Sequence, residues 1–178
     1  MTLRERYIKE IAPELKTELK VKNVMAVPKV SFVTVAVGLS QGLKDPKFLE
    51  TAEGVLTRIT GQKPVKTKAK KSISNFKIRE GMVVGMRVTL RGPRMWHFLD
   101  KLLNVTFPRI RDFRGLTAKL VDNTGNVSVG FKEFLPFPEI RPDEVERIHG
   151  LQVTITTTAG NRKNGTALLK HLGFPFKD

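Results

Sequence analysis

Residues 86–93 read Met-Arg-Val-Thr-Leu-Arg-Gly-Pro, and this stretch decides the fold class. Met86, Val88 and Leu90 fall on one side of an extended chain, and Arg87, Thr89 and Arg91 on the other. That is the period-two pattern of a strand with one face in a core and one in water. Gly92-Pro93 then opens a helix, with proline where its missing N–H is harmless and Met95, Phe98, Leu99, Leu102 and Leu103 at helical spacing. A one-sided strand running directly into a helix fits helices laid on one face of a sheet.

The same signals recur outward from this point. Leu151, Val153 and Ile155 alternate with Gln152, Thr154, Thr156 and Thr158, and Val127, Val129 and Phe131 alternate after the turn Asp122–Asn126. Lys29 to Val37 is almost wholly apolar and reads as a central strand with both faces covered, ended by Gly38 and Gly42. Val65 to Lys68 reads as a short strand, and residues 69–85 as a long exposed connection. A helix is predicted from Thr2 to about Lys20, with Leu3, Tyr7, Ile8, Ile11, Leu15 and Leu19 as its stripe and Pro13 interrupting it. A second runs from Asp45-Pro46 to Gly61, and a last one from about Asn164 to Leu172. No strict βαβ repeat appears. The expected fold is α+β: one domain over residues 1–178, a mainly antiparallel sheet with helices on one face, and the other face open.

Composition narrows the function. Of 178 residues 40% are apolar and 28% charged, enough for a core and unlike a disordered tail. The absence of cysteine excludes a disulfide scaffold, a thiolate zinc site and a cysteine nucleophile. No apolar run approaches the ~20 residues of a membrane span, and Met1–Arg6 lacks the apolar core of a signal peptide. The chain carries 32 Lys and Arg against 17 Asp and Glu, a net +15. Residues 63–114 alone hold 14 basic and 3 acidic side chains, a net +11. Such concentration suits a face that docks phosphates better than a uniformly basic solubility surface.

Catalysis has little to work with. His97, His149 and His171 lie far apart, with no ligand or base at a useful spacing, and read as ordinary surface or partly buried histidines. Gly61-Gln62-Lys63-Pro64 lacks the spacing of a nucleotide loop, and no serine sits in a nucleophile elbow. Asp143, Glu144 and Glu146 read as carboxylates serving a helix start. No cofactor and no metal is expected. The positive stretch says more: Lys66, Lys68 and Lys70 stand two residues apart, on one side of an extended segment. Phe76, between Ser74, Asn75, Lys77 and Arg79, either stacks on an unpaired base or packs back onto its own loop. The 2–20 helix is nearly balanced in charge, which argues for nucleic acid over lipid. No helix-turn-helix, zinc finger or basic zipper is present, and a threonine-bearing sheet face suits irregular RNA.

Several segments together closely resemble the bacterial-type family of large-subunit ribosomal protein five, the 5S rRNA-binding protein. They are Gly61–Pro64, Thr67–Ser72, Phe76–Arg79, Val88–Gly92 and Pro108–Gly115, flanked by Val24–Pro28, Phe137–Ile140, Thr154–Ala159 and Phe174–Phe176. The matches run in order over nearly the whole chain. The resemblance implies a non-enzymatic constituent of the large subunit in the cytoplasm. It would anchor 5S rRNA to large-subunit rRNA in the central protuberance, meet P-site tRNA, and touch neighbouring ribosomal proteins, including one of the small subunit across the bridge. The rRNA-binding positions would be Gln62, Lys63, Lys66, Lys68, Lys70, Lys71, Arg87, Thr89 and Arg91. The tRNA-facing loop, residues 72–84, would present Ser74, Asn75, Phe76, Lys77 and Arg79. Two departures stand out: Ala36 occupies a position where the family usually has an RNA-bonding Asn, and Gly160–Gly165 is more basic than the family pattern. A general RNA chaperone and an RNA-acting enzyme remain as alternatives.

Overall fold

The computed structural model describes residues 1–39, 45–141 and 148–177. The class is α+β, as the alternation implies. Five strands form one antiparallel sheet: β1 (Val30–Gly38), β2 (Val65–Lys68), β3 (Val83–Leu90), β4 (Val127–Phe131) and β5 (Leu151–Thr157). Their order is β2-β3-β1-β5-β4. The helices are α1 (Leu3–Arg6), α2 (Ala12–Glu18), α3 (Pro46–Thr60), α4 (Gly92–Lys101), α5 (Phe107–Arg109) and α6 (Arg162–His171). The chain divides into two compact units. One comprises Met1–Val33, Leu90–Val129 and Thr154–Asp178; the other comprises Thr34–Thr89 and Gly130–Val153. Gly42 and the Asp143, Glu144, Glu146 cluster lie outside the described residues.

Every strand except the edge strand β2 carries a buried row. Met86, Val88 and Leu90 on β3, and Leu151, Val153 and Ile155 on β5, are buried, while Arg87 and Gln152 are exposed. β3 begins at Val83, three residues earlier than its sequence alternation shows, so the connection after β2 is correspondingly shorter. β1 departs from expectation in a different way. It is central, and Val30, Val33, Val35 and Val37 are closed, whereas Phe32, Thr34 and Ala36 stay half-buried. From Val33 on, burial alternates with period two, and the side of Phe32, Thr34 and Ala36 is only partly covered.

The helix starts and stops follow their caps. The Asp45 carboxylate accepts from Lys47 N–H, Pro46 follows, and Gly61 at φ +66° closes α3. Thr2 and Glu5 form a reciprocal capping box on α1. Asn161 caps α6 by accepting from Asn164 N–H, so that helix starts at Arg162 rather than near Asn164.

Pro13 does not break its helix. A π turn, Tyr7–Ile11, separates α1 from α2, and Ala12 N–H bonds five residues back to the Tyr7 carbonyl. The wider turn leaves room for the Pro13 ring where α geometry would clash. It also shifts the phase of the stripe: Leu3, Ile11 and Leu15 are buried but Ile8 is 57% exposed. The same device precedes Pro108, where the π turn Leu102–Thr106 ends with Phe107 N–H on the Leu102 carbonyl.

His149 is the polar residue that the sequence reading placed least well. It is 7% exposed and packed between Phe134, at 4.6 Å between ring centroids, and Phe48 at 5.8 Å. Its Nδ1 lies 3.2 Å from the Gly150 carbonyl, while Nε2 has no partner among the described residues. Burial pushes its pKa below the usual histidine value, the Gly150 carbonyl opposing this in part. The folded state therefore holds the neutral ring, and the unfolded state takes up a proton first on acidification. Stability should fall as pH drops below about 6.5, the ordinary histidine value, towards the lower folded value. Denaturation in urea at pH 7.5 and pH 5 should show this loss, and His149→Phe should flatten it; an unchanged slope in the variant would remove His149 as the cause.

Candidate nucleic-acid interface

In the unit formed by Thr34–Thr89 and Gly130–Val153, the pairing of β2 with β3 sets the side chains. Val65 faces Arg87, Lys66 faces Met86, and Thr67 faces Gly85; the register slips by one residue before Lys68 meets Val83. Opposite residues share a face, so Val65 and Thr67 lie on the side of Arg87, and Lys66 on the side of the buried Met86. The Arg87 side opens into a groove of about 530 Å³, lined by Ala36, Gly38, Thr67, Gly85, Arg87 and Gln152. Small residues share its lining with larger apolar ones, Met86, Phe131 and Leu151 among them, and with a hydroxyl, a guanidinium and an amide. Thr89, the next residue of β3 on that side, is half-buried.

The register divides the lysines. Lys66 Nζ lies 2.9 Å from Glu53 Oε2, and Lys63 Nζ 3.7 Å from Glu53 Oε1, with Glu53 on α3. The Lys66 hydrogen bond, ahead of the Coulomb attraction of both lysines, holds the Glu53 carboxyl below its usual pKa despite some opposing desolvation. Lys68, Lys70 and Lys71 are exposed and form no ion pair among the described residues. The strand ends at Lys68, so the projected row of Lys66, Lys68 and Lys70 is not one continuous edge. Gln62 follows Gly61, with its N–H on the Thr60 hydroxyl at 3.3 Å; its side chain is half-exposed.

The 72–84 connection is exposed but hydrogen-bonded. Ile73 and Ile78 exchange backbone bonds of 2.9 and 3.1 Å around the 3₁₀ turn Ser74–Phe76. Glu80 N–H bonds to the Ser72 hydroxyl at 3.0 Å, and Lys77 takes a left-handed conformation. This holds Phe76 70% exposed, so of the two sequence readings it is not packed onto its own loop. Ser74, Asn75, Lys77 and Arg79 surround it in solvent.

In the other unit, Arg91 caps β3 and precedes α4, exposed, with its guanidinium carbon 5.1 Å from the Phe32 ring centroid. On β5, Thr154 and Thr156 are half-buried, and Thr154 shares a 3.0 Å hydroxyl contact with Ser128 on β4. Phe32, Thr67, Gly85 and the Glu53 clamp were missed from sequence. For Phe32 a signal existed, its position two residues from Thr34 within β1. For Glu53 none did, because its partners lie ten and thirteen residues away across a turn.

Basic charge is shared between the units. Counted along the sequence, the unit with both termini has 18 basic and 8 acidic residues, and the other has 14 and 9. The basic 63–114 stretch is thus cut at Thr89/Leu90. Among the described residues no group of three or more His, Asp or Glu is arranged to hold a metal ion, and no helix is long and apolar enough to cross a membrane.

The groove depends on Gly85. A Cβ there would stand 2.9 Å from both the Val37 carbonyl oxygen and Thr67 Oγ1. The carbonyl belongs to the neighbouring strand and has little freedom to move, so Gly85→Ala should destabilise by roughly 1–3 kcal/mol. A urea midpoint equal to the parent's would show that the strands can separate without cost.

Two family models match in succession: "Ribosomal protein L5" over residues 23–79 and the C-terminus of the same ribosomal family over residues 83–176. The "Large ribosomal subunit protein uL5" of Francisella tularensis subsp. novicida (strain U112) is 53% identical over 175 residues, covering 98% of each chain. With both halves matched in order and a relative this similar over nearly its full length, the chain belongs to the bacterial-type ribosomal L5 family of large-subunit proteins.

Proposed function

We propose that this chain binds 5S rRNA through the uncovered side of its strands and attaches it to large-subunit rRNA in the central protuberance. It acts there as a structural constituent of the cytoplasmic ribosome with no enzymatic activity. The observation that carries this reading is the groove whose small lining residues let a nucleic-acid backbone come close to Arg87, Thr67 and Gln152. Arg87, Thr89 and Arg91, with Gln62, supply donors for phosphate and ribose oxygens. Lys68, Lys70 and Lys71 neutralise phosphates from the adjoining segment, and Lys63 and Lys66 do so from a position held by Glu53. The closed loop at 72–84 presents Phe76, Lys77 and Arg79, with Ser74 and Asn75, to P-site tRNA. Neighbouring ribosomal proteins, including one of the small subunit, are further contacts.

Binding to 5S rRNA and to an unrelated RNA of equal length, across a salt titration, tests the reading. With about five to eight phosphate contacts, log affinity should fall with log salt at a slope of about −4 to −7. A preference for 5S rRNA should survive raised salt. Equal binding that vanishes for both RNAs would favour a general RNA chaperone, and turnover of RNA an enzyme. Arg91→Glu should weaken 5S rRNA binding by roughly tenfold or more while leaving the melting temperature within a few degrees; unchanged affinity would exclude Arg91 from the interface.

A further inference from the structure

Resting on the reading that this side of the sheet holds RNA, we propose that Phe32 is a positioning residue that presets the Arg91 guanidinium to grip an RNA phosphate. Phe32 lies on the side of β1 that the core leaves partly uncovered, where it is half-buried between the closed positions Val30 and Val33. By strand parity Phe32 lies on the side opposite Val33, Val35 and Val37. There it meets Arg91, whose guanidinium carbon stands 5.1 Å over the ring centroid.

The pairing has two consequences for Arg91. The ring's negative face attracts the cation, and a guanidinium held over a ring by its carbon keeps the N–H groups on its edges available to a ligand. Those edges carry the donors that match the two oxygens of a phosphate in bidentate fashion. No carboxylate pairs with Arg91 among the described residues, so its charge is not spent within the protein. Its backbone is fixed as well: Arg91 is extended, and the following Gly92, at φ +59°, turns directly into α4. An arginine free in solvent loses much rotamer freedom when it closes on a phosphate. One already laid on a ring at a rigid strand-to-helix junction loses less, and that difference appears as affinity. Lysine in place of Arg91 would keep the charge but lose the fork and the flat contact.

A double-mutant cycle on the full chain, read as affinity for labelled 5S rRNA at fixed salt, tests the assignment. Phe32→Leu keeps apolar bulk but removes the ring, and should weaken binding about three- to tenfold. Phe32→Tyr keeps the ring and should bind within about twofold of the parent. In an Arg91→Ala background, Phe32→Leu should cause no further loss, because its effect passes through the arginine. A full loss in that background would mean that the ring touches RNA itself, as a stacking surface for an unpaired base, and would overturn the positioning role. An unchanged affinity for Phe32→Leu beside a weakened Arg91→Ala would overturn it too, while leaving the sheet face as the RNA site. If Arg91→Ala binds as the parent does, Arg91 lies outside the interface and this assignment falls, whereas a parent chain with no preference for 5S rRNA over an unrelated RNA would take down the sheet-face reading itself.

Discussion

A strand's side chains alternate strictly, so burying one row of residues turns the next row to the other side. In this chain that constraint governs both the core and the surface opposite it. Val33, Val35 and Val37 on β1, Met86, Val88 and Leu90 on β3, and Leu151, Val153 and Ile155 on β5 are closed off from water. Each such side chain contributes about 1.5–3 kcal/mol when fully buried. A one-residue slip of β3 or β5 would drive arginine or glutamine into the core and apolar side chains out of it. The positions of Arg87, Thr89 and Gln152 are therefore fixed by residues that carry no charge at all. The proposed interface on the uncovered side is held in register by packing on the covered one.

The same logic explains why glycine and alanine matter in the groove. Ala36, Gly38 and Gly85 keep their part of the lining low, and the Gly85 backbone lies close enough to Val37 and Thr67 that no side chain fits. Larger residues would fill the groove and raise the backbone hydrogen-bonding surface away from a ligand. The helices obey a comparable economy of shape. Two prolines that would break α geometry are each preceded by a π turn, which widens the ladder by one residue and lets the helix continue.

What the sequence made legible was what local periodicity records. The strand at 86–91, the opposed rows of 151–158, the Asp45-Pro46 start and the Gly61 stop all depend on residues within a few positions of one another. β1 misled because residue type alone marks Phe32 and Ala36 as apolar, although from Val33 on the closed positions are Val33, Val35 and Val37. The lysines misled for another reason: spacing says that Lys66 and Lys68 share a side, but not which side. That is set by the pairing of Thr67 with Gly85 and of Lys66 with Met86, and by Glu53 reaching from α3. His149 was unreadable because its burial comes from Phe48 and Phe134, which approach it only in the fold.

Ala36 and Arg91 bear on the proposed interface through different chemistry. The family pattern that the sequence resembles usually carries Asn where this chain has Ala36, and an amide there offers a neutral hydrogen bond worth about 1 kcal/mol. Ala36 cannot make it, and its methyl group lies half-buried in the groove. A cation supported by an aromatic ring supplies a different kind of contact, charge-assisted and roughly twice as strong as a neutral one. Arg91 falls in the Val88–Gly92 segment that follows the family pattern, so a phosphate contact made there releases counterions and depends on salt whichever residue stands at position 36. Within the proposed interface, a chain built this way leans on its phosphate contacts.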